Sequence, residues 1–398
     1  MDMTTDSQNM LSKRSRRTLE IALALGGFAL GTGEFTTMGL MPQISYSLSV
    51  SEPQVGHIIS SYALGVVVGA PLLAILGAAM TRRNIILLLM SVFIIGNIAS
   101  AFVPDYFSLL FIRFLTGLPH GAYFGIAGLV AASIVPVHER ARAVSRFLLG
   151  VTLSIVAGTP LATWLGQLIN WRCVFILVGF LAITALVMIF LHLPDNKSKN
   201  HSNPLTEIKS LKNIQIWLTL GIAAIGFAGM FCVFSYLVPT LTEVAGINSC
   251  WTPVMLSLFG VGSVIGNVLG GKLCDRFQFN SVGYILAACA LALLIFPFAM
   301  ETNWAVTPGV MMVGAMMAMS PALQVRLMDV AKEAQTLAAA LNHAAFNIAN
   351  ALGPWLGGLA ISSGFSWTVT GYVGMIMAIL GLGIFFIAKR IQNSSPGH

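Results

Sequence analysis

One acidic side chain lies deep inside a long apolar stretch of this sequence. Of the 14 Asp and Glu residues in the 398-residue chain, Glu34 alone has this position. A carboxylate at the centre of a membrane helix costs about 2.5–3.5 kcal/mol even on the mildest scale. Burial favours the neutral acid, whereas a nearby cation favours the ionised form. Glu34 is therefore predicted to take up and release a proton; the alternative is a permanent pairing that only fixes helix packing.

Arg113 is the candidate cation for this carboxylate. A guanidinium keeps its proton in proteins, so Arg113 is predicted to supply a fixed positive charge near Glu34 or to bind a substrate group. A purely structural anchor is the alternative. His120 follows seven residues later and shares its helical face. It is predicted either to line a cavity as a hydrogen-bonding group or to be a satisfied histidine between helices.

A second polar set lies near the end of the chain. His343, Asn347 and Asn350 are spaced by four and three residues and fall on one helical face. Amides can hydrogen-bond a neutral polar ligand without the cost of a buried charge, and they can equally bind a neighbouring helix. Both interpretations remain open.

The elements that must position these residues are membrane helices. The chain is 57% hydrophobic and 9% charged, whereas soluble domains average about 45–50% apolar and about 25% charged residues. The excess apolar surface requires lipid. The net charge of +7 does not indicate a nucleic-acid partner, because the basic residues occupy short segments between long apolar runs.

A membrane helix needs about 20 mainly apolar residues. Such runs lie at 19–41, 54–79, 84–103, 107–134, 143–168, 173–193, 214–238, 252–274, 281–300, 304–326, 337–363 and 368–388. We therefore predict an all-α membrane protein of twelve transmembrane helices. The predicted organisation is a tail (1–18), a six-helix half (19–193), a linker (194–213), a second half (214–390) and a tail (391–398).

The basic residues predict the orientation. We consider the Lys and Arg residues that are not in the spans. With both termini in the cytoplasm, nearly all of them fall in cytoplasmic segments, and Arg172 alone falls in a segment on the opposite side of the membrane. The first span, which is longer than the apolar region of a signal peptide, is predicted to be an uncleaved anchor.

The two halves also repeat. Leu64-Gly65-Val-Val-Val-Gly69 matches Val261-Gly262-Ser-Val-Ile-Gly266 at an offset of 197 residues. Parallel six-helix halves are typical of secondary transporters that bind substrate between the halves near the midplane. Pseudo-two-fold symmetry between the halves is therefore expected.

Several motifs resemble the major facilitator superfamily over essentially the whole chain. Gly271-Lys-Leu-Cys-Asp275-Arg276 matches the family's loop motif in the second half, whereas the first-half copy has Ala78 at the position of the acid. Arg113 matches the buried-arginine motif. Gly158-Thr-Pro160 and Gly353-Pro354 resemble the glycine-proline motif of antiporters. The resemblance implies conformational roles for these glycines and prolines and for Asp275 and Arg276.

Two segments are similar to arabinose-efflux and chloramphenicol-efflux exporters. They are Gly31-Thr-Gly-Glu34-Phe35 and Pro119-His120-Gly-Ala-Tyr123-Phe124-Gly125. The resemblance adds Tyr123 to the candidate substrate cavity. It implies a proton-coupled antiporter in a bacterial inner membrane that exports sugars, sugar-like compounds or small amphiphilic drugs, as a monomer and without a cofactor.

Two other functions remain open. A proton-coupled nutrient symporter would have the same fold, although the glycine-proline motif accompanies antiport. A membrane sensor would be expected to carry a soluble output domain, for which segments 1–18 and 391–398 are too short. An enzyme is not expected, because the sequence contains no nucleotide-binding loop, nucleophile elbow or metal-ligand spacing.

Overall fold

The computed structural model describes residues 13–77, 80–136, 139–194, 213–331 and 335–394. Eleven helices in these ranges are long and apolar enough to cross a membrane. Gln335–Ser362 is a further helix of 28 residues, and it carries His343, Asn347 and Asn350. The prediction of an all-α membrane fold is confirmed. Ala78, tail residues 1–12 and 395–398, and nearly all of the predicted linker lie outside the described residues.

Twelve long helices, numbered in chain order, form the bundle within these ranges. The first six are α1 (Lys13–Gly39), α2 (Glu52–Gly77), α3 (Arg82–Ala101), α4 (Tyr106–Ser133), α5 (Arg140–Leu153, Ser154–Gly158 and Thr159–Leu168) and α6 (Trp171–His192). A short helix, Met41–Leu48, connects α1 to α2.

The last six helices include two that are interrupted. They are α7 (Ile214–Gly221, Ile222–Gly226, Ala228–Ser235, Leu237–Pro239 and Thr240–Val244), α8 (Thr252–Phe277), α9 (Asn280–Met300), α10 (Val306–Ala315, Met316–Ala318 and Met319–Ala331), α11 (Gln335–Ser362) and α12 (Val369–Ser394). We call the side where α1 begins and α12 ends the terminal end, and the opposite side the far end.

Within each half, one pair of helices packs closely through glycine residues, and the two pairs occupy equivalent places. α2 packs on α4, and α8 packs on α10. A methyl group added to Gly65 would overlap the carbonyl oxygen of Phe114, and one added to Gly262 would overlap that of Met311. The contacted residues are separated by the same 197 positions as the glycines. The sequence repeat is therefore a repeat of backbone contacts, because only a residue without Cβ permits this approach.

The halves meet through α2 against α11 and α5 against α8. Among the described residues, hydrogen bonds that join the halves towards the far end include those that Ser60 Oγ donates to Ala351 O at 2.7 Å and Gln167 Nε2 donates to Thr252 Oγ1 at 2.9 Å. The far end is thus closed across the two halves.

The middle of α5 widens into a π-helical turn, Ser154–Gly158. Pro160 has no N–H to donate to the carbonyl of Val156, so the α-helical ladder cannot continue through this point. Helix α8 approaches closely here: a methyl group on Gly260 would lie 2.6 Å from the Cα of Val156. The interruption therefore lies at the contact between the halves.

Helix α1 is already formed at Lys13, the first described residue and six residues before the predicted span, and an ion-pair network supports its charged first turns. Glu20 is buried and accepts from Arg146 Nη1 at 2.7 Å and from Arg16 Nε at 3.4 Å. Arg16 also donates to Glu139. The network ties α1 to the start of α5, a contact that hydropathy alone does not indicate.

Replacing Glu20 by glutamine is expected to destabilise this end of the bundle by about 1–3 kcal/mol, because a buried carboxylate with two charged donors becomes a neutral amide. The midpoint of thermal unfolding in detergent, read by size exclusion, measures the change. The exposed Glu301→Gln serves as the control. An equal midpoint for both variants would show that the network contributes no stability.

Candidate functional site

The carboxylate of Glu34 lies between the two halves. Its side chain is buried on α1, and its Oε1 accepts a hydrogen bond of 2.8 Å from Asn350 Nδ2 on α11. Asn350 is also buried, and its Oδ1 has no hydrogen-bond partner. A buried acid of the first half is therefore bound by an amide of the second half.

His120 faces the other oxygen of this carboxylate. Its Nε2 lies 3.7 Å from Glu34 Oε2, and its Nδ1 lies 2.7 Å from the hydroxyl of Tyr62 on α2. His120 thus has a partner on each side of its ring. Tyr62 was not among the residues predicted from the sequence, because a tyrosine in an apolar span is unremarkable by composition.

Arg113 does not bond Glu34 directly. Its Nη2 donates to the backbone oxygen of Gly33 at 2.7 Å, and its Nε and Nη1 have no hydrogen-bond partner. The guanidinium lies over the rings of Tyr62 at 4.2 Å and Phe175 at 5.2 Å, within cation–π distance. Arg113 therefore places a fixed positive charge beside the residue that precedes Glu34, while its ring contacts hold it within the first half.

His343 and Asn347 lie near this cluster on the second half. The ring of His343 stacks on Phe124 at 5.1 Å and is 6.5 Å from the ring of His120. Asn347 Nδ2 donates to His343 O at 3.0 Å, and both His343 Nδ1 and Asn347 Oδ1 lack partners. Both of these atoms are buried polar groups whose hydrogen-bonding capacity is unused.

Helix α4 borders open space in its part towards the terminal end. A methyl group added to Gly125 or Gly128 would meet no atom within 4 Å. Towards the far end, the contacts between the halves close the bundle.

Tyr123 lies away from this cluster. Its hydroxyl donates to Leu23 O at 3.1 Å, and its ring packs on Phe147 within the first half. The structure thus brings together Glu34, His120 and Asn350, with His343 and Asn347 beside them, and places Tyr123 among the buried residues between α1, α4 and α5.

The residues of the glycine-proline motifs lie at helix contacts. A methyl group on Gly158 would overlap Thr32 of α1, and one on Gly353 would press on the backbone of Cys232 in α7. Pro354 O accepts from Tyr236 at 2.7 Å. Asp275 and Arg276 are exposed in the last turn of α8, one turn after Gly271.

A cleft of about 500 Å³ lies between α2, α4 and α11. Its polar groups bond within the protein: Ser61 Oγ donates to Leu110 O at 2.7 Å, and His57 Nδ1 lies 3.2 Å from the Tyr106 hydroxyl. The other residues that line the cleft are apolar or bonded within the protein. The cleft is separate from the Glu34 cluster.

Comparisons with known proteins agree with this architecture. A family model described as Major Facilitator Superfamily matches residues 23–339. The "Inner membrane transport protein YdhP" of Escherichia coli (strain K12) is 39% identical over 94% of this chain and 96% of its own. A "Chloramphenicol resistance protein" of Streptomyces lividans is 29% identical over 94% of this chain and 97% of its own.

Among solved structures, a bacterial homologue of the human lysosomal transporter Spinster is similar in fold. It is described as inward-facing and unoccupied, has a TM-score of 0.76 at 19% identity, and covers 97% of this chain and 100% of its own.

Proposed function

The chain belongs to the Major Facilitator Superfamily and is a multi-pass membrane transporter rather than an enzyme, and from this premise we propose that it exports small molecules in exchange for protons. The expected substrates are sugars, sugar-like compounds or small amphiphilic drugs, because its motifs resemble sugar and chloramphenicol exporters and one relative is named for chloramphenicol resistance. The expected location is a bacterial inner membrane with both termini in the cytoplasm.

The hydrogen bond between Glu34 and Asn350 is the observation that carries this proposal. A bond between an ionised carboxylate and an amide is stronger than one between neutral partners. Ionised Glu34 therefore favours the arrangement in which the far end is closed. A change in its protonation would alter the contact between the halves, which is what coupling to protons requires.

Substrate binding acts on the cycle through the same amide, the side chain of Asn350. A ligand bound beside His343 and Asn347 would compete for Asn350 and release α11 from Glu34. The halves could then separate at the far end, where substrate leaves and a proton binds Glu34. A neutral acid costs less to bury between the halves than an ionised one, so the protonated carrier returns, and the proton leaves on the terminal side. Protons thus move opposite to substrate.

The test is substrate-dependent proton movement in proteoliposomes that contain an internal pH dye. Pentoses, a galactoside analogue and chloramphenicol are offered in turn, each with an imposed substrate gradient. We expect protons to move against at least one substrate. Proton movement in the same direction as substrate would indicate symport, and substrate exchange without proton movement would contradict coupling.

A further inference from the structure

Tyr62 connects two polar residues of the site. Its side chain is only 1% exposed. Its hydroxyl lies 2.7 Å from Nδ1 of His120, and its ring lies 4.2 Å from the guanidinium carbon of Arg113. Gly117 of α4 fixes this arrangement, because a methyl group there would overlap the carbonyl oxygen of Tyr62. The close approach of α2 and α4 thus holds one tyrosine against both residues.

The partner of Nδ1 decides what the other ring nitrogen can do. A neutral imidazole carries one N–H, on either Nδ1 or Nε2. When the Tyr62 hydroxyl donates to Nδ1, the ring proton must be on Nε2. Nε2 lies 3.7 Å from Glu34 Oε2, so an approach of about 0.5–1 Å would bring this N–H within hydrogen-bond distance of the carboxylate.

We propose that Tyr62 is a positioning residue that holds His120 as the Nε2–H tautomer, so that His120 can donate to ionised Glu34 when Asn350 moves away with the second half. This inference rests on the proposed function. Glu34, Tyr62 and His120 belong to the same half and stay together during its movement, whereas Asn350 does not. The carboxylate would then have a donor in both arrangements of the halves.

The other charged or titratable groups near His120 agree with this assignment. Arg113 is held by Tyr62, Phe175 and the backbone of Gly33, so it keeps its charge beside the site without occupying the Glu34 oxygens. His343 approaches from α11 with a ring separation of 6.5 Å and leaves with that helix. His120 is therefore the side-chain donor within the first half that faces Glu34 Oε2.

The first measurement is the ring tautomer of His120 in the reconstituted full-length protein, read from ¹⁵N chemical shifts of labelled histidine. The signal is assigned by its loss in His120→Asn. We expect Nε2–H in the wild type and a loss of that preference in Tyr62→Phe, which keeps the ring over Arg113 but removes the hydroxyl. Tyr106→Phe is the matched control, since it removes a tyrosine contact to His57 Nδ1 outside the site.

The second measurement is the pH profile of substrate exchange. We expect Tyr62→Phe to move the pH of half-maximal exchange by about half a unit or more, and Tyr106→Phe to leave it in place. An Nδ1–H tautomer in the wild type would overturn the proposal. So would a Tyr62→Phe protein with unchanged tautomer and unchanged pH profile, because Tyr62 would then only pack.

Failure of the proposed function would look different. In that case the wild type would exchange substrate without moving protons, whatever tautomer His120 adopts. The tautomer measurement does not depend on coupling, so it separates the two results.

Discussion

Glu34→Gln is expected to reduce substrate-driven proton movement to the level of liposomes without protein, while exchange of substrate for substrate continues. Glutamine has nearly the same shape and retains an oxygen that can accept from Asn350, but it cannot take up a proton. The membrane potential supplies about 2.3 kcal/mol per charge at 100 mV. An exchanger of one proton per neutral substrate would therefore sustain a gradient of roughly 50-fold, and the variant should sustain none.

The measurement combines the internal pH dye with uptake of labelled substrate under an imposed potential. Glu243→Gln, which neutralises an exposed carboxylate near the far end, is the control and should behave as the wild type. Unchanged coupling in Glu34→Gln would show that Glu34 does not carry the proton and contributes only to packing.

Gly65→Ala and Gly262→Ala are expected to destabilise the protein by similar amounts, about 1–3 kcal/mol each. In both cases the added methyl group overlaps a backbone carbonyl of the neighbouring helix, at Phe114 and Met311. Backbone atoms cannot rotate away as side chains do, so the helix pair must separate. The two halves should respond alike because the contacts are equivalent under the repeat.

Thermal unfolding in detergent, followed by size exclusion, tests this expectation. Gly125→Ala is the control, because a methyl group at this position meets no atom within 4 Å. A large loss at Gly65 with none at Gly262 would show that the two halves do not depend on equivalent helix contacts.

Hydropathy was sufficient to predict the helices, and the motifs were sufficient to predict the family. Lipid cannot hydrogen-bond backbone groups, so every span must be a long apolar helix and is visible in the sequence. The same rule identified Glu34 and Arg113, since a charge in an apolar span is costly and stands out. Hydropathy does not indicate the charged first turns of α1, because they depend on the ion pairs of Glu20 with Arg16 and Arg146, which are side-chain contacts.

The sequence by itself determined the number and type of the helices, the repeat of the two halves and the presence of polar residues at membrane depth. Only the tertiary structure decided which of these residues meet. Glu34 and Asn350 are 316 residues apart, and Tyr62 reaches His120 from a different helix. Such contacts depend on how far each helix is rotated and tilted against its neighbours. That geometry is set by close backbone packing at glycines, and the apolar character of a span carries no information about it.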